Sequence, residues 1–566
     1  MRDQKTLAVR RWTRALAALS VMALAACVGE VGGQGGTPGP GGKGEEVIQT
    51  GDDIRLPRLS HLQWARTAQA FLKLPDTPAL SFRPDTVAKE AFPTDVQARS
   101  MDSTLVLDYR AAADKLTDAL LSDSTAYSRF VSDAGTGDFS TKLKTLIKTS
   151  WPRAFRHMLS DAEVEKYTAF GMGAPDVATA GDDDAKMKAA LSALVRYTLQ
   201  STQFIYRMEF GDEKAQAIQG KSRVRPLTPA EYVTKLSYTL LNAPPDVALL
   251  AAAEQQAGTD EARAKLVDTM LADPRATDSI MDFLVSLYLV DLAGSMTKDP
   301  ATFPGMEGLG KDAATEATKF LSTMLAKNVG LKEQLLSRTA FVNKRLAGIY
   351  GLDASGLNDN DFVEKTLPDE RAGILTRVSW TGTKASLVER SSILRGVYAT
   401  KKLLCTPIGV NPSLGNAVLP VPPETAVTNR DRVSFITGGG DCRACHMTTI
   451  NPLGFAFENF NAIGQYVTKD HGQDVVSAGT VSMDGTPVNF TSARTFLEAA
   501  ANAQQTHNCY VGNIASWMYG RALTDYDRSS IAATGVKSKA ENASTRALLK
   551  DILTNAVFRS VVWEGT

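Results

Sequence analysis

The spacing of hydrophobic and polar positions is helical over most of the chain. From residue 55 to about 400, apolar residues recur at three- and four-residue intervals with polar residues between them, the pattern of amphipathic helices. Several of the predicted starts carry capping chemistry. Ser60 precedes Gln63, Ser160 precedes Glu163, and Thr228-Pro229-Ala230-Glu231 joins an N-cap, a first-turn proline and an acid at the third helical position. Thr259-Asp260-Glu261 opens a further helix that runs to Leu271 and stops before Asp273-Pro274. Asp312 to Leu336 and Ala540 to Phe558 continue the same period. Two-residue alternation is scarce, and Val475 to Phe490 is the best hairpin candidate. The expected fold is therefore mainly α: a multi-domain helical scaffold with a C-terminal segment containing a small β-hairpin.

The first residues break this pattern. Arg2, Lys5, Arg10, Arg11 and Arg14 are followed by an apolar and small-residue run, Ala15 to Ala26, too short to span a bilayer. The run ends in Leu24-Ala25-Ala26-Cys27, which resembles a bacterial lipobox and implies cleavage before Cys27 and lipid on its thiol. Val28 in place of an acid implies sorting to the outer membrane. Val28 to Glu46 is Gly-rich and without period, a flexible tether. The expected organisation is a signal peptide 1–26, a linker 27–50, an N-terminal helical domain 51–180, a central helical domain 181–385, a C-x-x-C-H module 386–490 and a C-terminal helical domain 491–566. At 566 residues several domains are the natural count.

Charge changes the picture only once the leader is removed. Lys+Arg and Asp+Glu balance at 62 each over the whole chain. Without residues 1–26 they stand at 57 and 61, net −4, which gives no general electrostatic attraction to nucleic acid.

The candidate chemistry lies in the cysteines: Cys27, Cys405, Cys442, Cys445 and Cys509. Cys442, Cys445 and His446 form C-x-x-C-H. Two thiols three positions apart on one turn suit addition to the two vinyl groups of haem, and the next residue offers an imidazole nitrogen to the iron. A thioredoxin-like dithiol, a zinc site and a structural C-x-x-C disulfide remain open as other readings of the same string. If haem takes Cys442 and Cys445, then Cys405 and Cys509 are left to form a disulfide, closing a loop of about a hundred residues worth about 4.7 kcal/mol in the chain-entropy model. Met483 is the first candidate for the opposite side of the iron, with Met518, His471 and His507 behind it. An iron open on that side would instead admit oxygen or peroxide chemistry, so oxidoreductase activity is left undecided.

The run Cys442 to Tyr466, CRACHMTTINPLGFAFENFNAIGQY, resembles the signature of a family of multi-domain exported proteins of planctomycetes and myxobacteria, made of domains of unknown function beside cytochrome c-like modules. Other segments agree in order: Arg58-Leu59-Ser60-His61-Leu62, Arg153-Ala154-Phe155-Arg156, Leu227 to Tyr232, Phe341-Val342-Asn343, Arg371 to Leu375, Leu394-Arg395-Gly396 and Tyr519-Gly520-Arg521. The resemblance implies an all-helical scaffold ending in a cytochrome c-like segment and a redox role at the cell envelope; covalent haem c is the expectation from the C-x-x-C-H string, and a redox partner protein goes with it. Asn451 and Asn461 stand where the family pattern has Asp, while Glu458 is kept. Arg207 and Arg395 are candidates for the haem propionates. The functional expectation is an electron-transferring c-type haem lipoprotein. Its alternative is a haem-free surface lipoprotein whose scaffold binds a polymer or protein partner, with structural cysteines.

Overall fold

The four helix starts predicted from capping chemistry are made by the side chains the sequence places there. In a computed structural model that describes residues 56–85, 91–96, 99–215, 224–409 and 420–562, the Ser60 hydroxyl accepts from the Gln63 N–H at 3.2 Å and the Gln63 side chain accepts from the Ser60 N–H at 3.1 Å, opening the helix His61–Leu72. The same reciprocal box opens Asp161–Met172 from Ser160 and Pro229–Leu241 from Thr228. Thr259 caps Asp260–Leu271, and Asp273-Pro274 starts the next helix, Pro274–Leu287.

Two long helices expected from the period are each divided. Leu309–Ala326 stops before Asn328, which adopts a left-handed conformation, and a separate helix runs Leu331–Leu336. Likewise Ala532–Glu541 ends at left-handed Asn542, and Ser544 caps a new helix, Thr545–Thr554. Asn tolerates this backbone better than other side-chain-bearing residues, so it ends a helix that the apolar spacing alone continues.

The fold is mainly α. Among the described residues the strands form four antiparallel pairs: Val224–Pro226 with Ser560–Val562, Thr339–Val342 with Val363–Thr366, Lys469–Asp470 with Gln473–Asp474, and Gly479–Met483 with Thr486–Phe490. The last is the expected hairpin. Met483 pairs with Thr486 across Asp484-Gly485, whose φ angles of 52° and 76° make the two-residue turn with both central residues left-handed, which suits the strand twist.

Apolar side chains gather in three cores. One is N-terminal, drawing on residues from Leu59 to Ile205 with Tyr238 added. The largest runs from Phe92 to Val561, and residues of the segments 181–385, 386–490 and 491–566 all enter it. A small third core lies around Leu309, Val342, Tyr350 and Val378. All described residues belong to one compact unit, Ile48–Thr566, while the other unit, Met1–Val47, lies outside them. The expected signal segment, Cys27 and the tether therefore also lie outside the described residues. No helix among the described residues is long and apolar enough to cross a membrane.

Candidate functional site

The C-x-x-C-H string sits on one continuous helical stretch with a wide turn in its middle. Asn429–Thr437 ends at Gly438-Gly439-Gly440, the chain turns, and Cys442–Cys445 begins a new helix. His446–Ile450 is a π turn, in which the Asn451 N–H reaches back to the His446 carbonyl, and Asn451–Phe455 returns to α geometry. Pro452 gives the reason. A proline inside an α-helix lacks the N–H and its ring meets the carbonyl four residues earlier, and a wider turn ahead of it relieves both. One consequence is positional. Residues five apart lie about 140° apart around an ordinary α-helix, but here His446 and Asn451 share a face, and the His446 Nδ1 lies 3.0 Å from the Asn451 Oδ1.

Cys442 and Cys445 are both half-buried and unpaired, one turn apart, so their thiols leave the same side of the helix. His446 is also half-buried, and no described residue makes a hydrogen bond to its Nε2. No group of three or more His, Cys, Asp or Glu side chains gathers as a metal-ligand set among the described residues. Two accessible thiols and an imidazole whose outer nitrogen is unengaged fit the donor set that haem c needs.

Behind the motif the packing is backbone against backbone. A Cβ on Gly396 would meet the Ile450 carbonyl oxygen at 2.0 Å, and one on Gly454 would meet the Ser392 carbonyl oxygen at 1.9 Å. The helix Ser392–Tyr398 thus lies directly on the motif's helix because both contact points are glycine. Arg395, fully buried, fastens the same pair. Its terminal nitrogens donate to the carbonyls of Phe457, Phe460 and Thr381 at 2.8, 2.7 and 2.9 Å, and to that of Asn461. Burial pulls its pKa down to about 9, Glu458 opposing and Arg390 assisting, so it stays charged at neutral pH. Arg207 is engaged with Glu209.

Glu458 is 2% exposed and accepts from the Ser392 hydroxyl and, at 2.7 Å, from the Asn429 side-chain amide. It anchors the start of Asn429–Thr437 rather than facing solvent. Asp470 binds the Asn429 N–H at 2.7 Å, with Arg390 at 3.3 Å and His471 at 3.0 Å. Burial opposes its charge, but the Asn429 N–H, Arg390 and His471 outweigh burial and hold its carboxyl below the ordinary value.

The other expected site residues fall as follows. Cys405 and Cys509 are joined in a disulfide across 104 positions. Met483 ends its strand 2% exposed inside the largest core, which also takes Leu453, Ala456 and Phe457. Its strand packs on Asn451–Phe455. Met518 is 4% exposed in the same core. His471 is exposed beside Asp470. His507 is fully buried, with Nδ1 2.8 Å from the Ser538 hydroxyl and Nε2 3.1 Å from the Ala501 carbonyl, and burial lowers its pKa. Both of its nitrogens are thereby occupied as a structural histidine. Phe457 packs on Trp380 and Phe496 at ring separations of 4.8 and 5.7 Å, inside the protein.

Thr437 was not among the residues singled out from sequence, and Asn451 stood out only as a departure from a pattern. The Asn451 side-chain amide donates to the Thr437 Oγ1 at 2.8 Å, and the Thr437 hydroxyl donates to the Val433 carbonyl at 2.6 Å. The signal available beforehand was Pro452, which predicts a distorted turn just where His446 and Asn451 meet.

Three family models match the chain. They are PSD3, protein of unknown function (DUF1587), over residues 57–122; PSD4, protein of unknown function (DUF1592), over 227–352; and PSCyt3, protein of unknown function (DUF1588), over 371–470. The order is that of a multi-domain chain, and the third match contains the C-x-x-C-H helix together with Arg395, Gly396 and Glu458. No curated protein and no solved structure matches the chain.

Proposed function

We propose that this chain is a cell-envelope c-type haem lipoprotein that carries electrons to or from a redox partner protein. The observation that carries the reading is the arrangement at residues 442–446: two unpaired, half-buried thiols one helical turn apart, followed by an imidazole held through Nδ1 with Nε2 unengaged. Cys442 and Cys445 would hold haem as thioethers, and the His446 Nε2 would hold its iron. Bound there, haem supplies a one-electron couple whose potential the protein tunes through ligand, burial and hydrogen bonds.

Further support comes from the surroundings. The helices Ser392–Tyr398 and Asn429–Thr437 both pack against the His446–Ile450 turn and so hold the thiols and the imidazole on a fixed frame. The name of the PSCyt3 model also points toward a cytochrome-like domain. Met483 would be the second side chain to hold the iron, as its strand packs on the helix that continues from His446. Cys27, with the basic and apolar residues before it, is the proposed site of lipid attachment, and Val28 after it favours the outer membrane.

The test is expression of the full chain in a bacterial host with cytochrome c maturation machinery, followed by intact mass and reduced, pyridine-treated spectra. The expected result is one covalent haem, abolished by replacing Cys442 and Cys445 together with Ala. A chain that folds but never acquires haem overturns the reading and leaves the haem-free scaffold lipoprotein. A low-spin spectrum indifferent to carbon monoxide and peroxide supports electron transfer, whereas a reactive high-spin iron would make the protein a haem-dependent oxidoreductase.

A further inference from the structure

We infer that Asn451, oriented by Thr437, is a positioning residue that fixes His446 as the Nδ1–H tautomer and, being neutral, keeps the haem potential above the value a carboxylate at this position would give. The first half stands on this chain's hydrogen bonds alone, while the second rests on the proposed haem attachment.

The direction of every proton in the chain of contacts follows from one distance. The Thr437 Oγ1 is 2.6 Å from the Val433 carbonyl oxygen, and two oxygens that close must share a proton. Only the hydroxyl has one to give, so Thr437 donates to Val433 and meets its next neighbour with a lone pair. That neighbour, 2.8 Å away, is the Asn451 side chain, which must therefore present its NH₂ to Thr437. The carboxamide oxygen is then the atom that faces His446, and it has no proton to offer. At 3.0 Å the His446 Nδ1 must be the donor. A neutral imidazole with its proton on Nδ1 has a bare lone pair on Nε2, which is the form a metal requires.

Burial makes this order strict. Asn451 is 1% exposed and Thr437 4%, so bulk water does not compete for either contact. The Asn429–Thr437 helix, the Gly438-Gly439-Gly440 turn and the π turn at His446 together bring the three side chains into line.

The identity of residue 451 then bears on the iron. A partner of the imidazole nitrogen that does not hold the metal raises the ligand's basicity in proportion to how strongly it draws the Nδ1 proton. A carboxylate draws it more strongly than a carboxamide and adds a negative charge, both favouring the oxidised iron. The carboxamide accepts the same hydrogen bond with no net charge. A carboxylate here would also turn an oxygen toward the Thr437 oxygen, whose proton is committed to Val433, so this pocket is matched to Asn.

Two measurements test this. In the haem-free full chain with ¹⁵N-labelled histidine, at alkaline pH, His446 should show protonated Nδ1 and bare Nε2. Thr437→Val should mix the tautomers, and Thr437→Ser, which keeps the hydroxyl, should restore one. An Nε2–H tautomer in the unaltered chain overturns the inference. In the haem-loaded chain, Asn451→Asp should shift the one-electron equilibrium at least tenfold toward the oxidised form, about 59 mV in midpoint potential, with the spin state unchanged. An equal or higher potential overturns the second half. Failure of the unaltered chain to take haem would defeat the functional proposal while leaving the tautomer measurement readable, so the two failures are distinct.

Discussion

At the scale of single residues, Cys442, Cys445 and His446 announce themselves because their chemistry depends on spacing along the chain, and spacing is what a sequence records. Cys405 and Cys509 came out as a pair by elimination, and the structure joins them. Thr437 and Asn451 are different. They lie fourteen positions apart across a glycine turn, and neither residue type advertises a role until both are seen against His446. Met483 is the residue where a single substitution decides most. Met483→Leu preserves volume, so it should cost less than about 1.5 kcal/mol of stability. If Met483 completes the iron's coordination, the same change should convert a low-spin optical spectrum to high-spin, and an unchanged spectrum removes Met483 from the iron.

At the scale of elements, the caps were legible because Ser, Thr and Asp satisfy N–H groups only a few residues away, so the information is local. Ser60, Ser160, Thr228 and Thr259 open helices as read. The left-handed asparagines at 328 and 542 were not, since the apolar spacing runs on past both and masks the helix-ending preference of Asn. The glycines show the same limit. Gly396 and Gly454 look like weak points of their helices until the crossing of Ser392–Tyr398 over the motif is known. Gly454→Ala should push the two helices apart and cost at least about 1–3 kcal/mol, read as a lowered thermal midpoint. It should also reduce the yield of covalent haem, because His446 and Asn451 belong to the displaced stretch.

The Asn429 end of the same assembly should respond to acid. Asp470 has its carboxyl held below the ordinary value despite burial, by the Asn429 N–H, Arg390 and His471. A depressed carboxyl contributes stability that is complete above the unfolded value and is lost as pH falls through the folded one, so the loss belongs below about pH 4. Thermal melts taken downward from about pH 5 should fall more steeply for the natural chain than for Asp470→Asn, which has no such proton to take up. Equal slopes would show that Asp470 contributes nothing to acid sensitivity.

At the scale of the whole molecule, closure is long-range. The strand Val224–Pro226 finds its partner at Ser560–Val562, and Tyr232 donates to the Leu553 carbonyl at 3.1 Å, so the end of the chain is built into the middle of the fold. The Cys405–Cys509 disulfide spans the C-x-x-C-H helix and the hairpin, across 104 positions. Removing it with Cys405→Ser should cost about 4.7 kcal/mol in the chain-entropy model, within the usual range of about 2–5 kcal/mol. The expected readout is a lower denaturant midpoint for the transition that exposes the motif, and no shift would show that the loop is held by packing alone.

The sequence by itself determined what local chemistry determines: mainly helical structure, the helix starts, the Asp484-Gly485 hairpin turn, and the thiol, thiol and imidazole string. Each depends on neighbours a few bonds away. Tertiary structure alone decided which helix lies on the motif, that segments far apart in sequence share one apolar core, and that the His446 proton is governed by Asn451 and Thr437. The physical reason is the same in all three cases. Burial and close approach join residues whose sequence separation carries no trace of the contact, and only packing brings a hydroxyl, a carboxamide and an imidazole into a single line of hydrogen bonds.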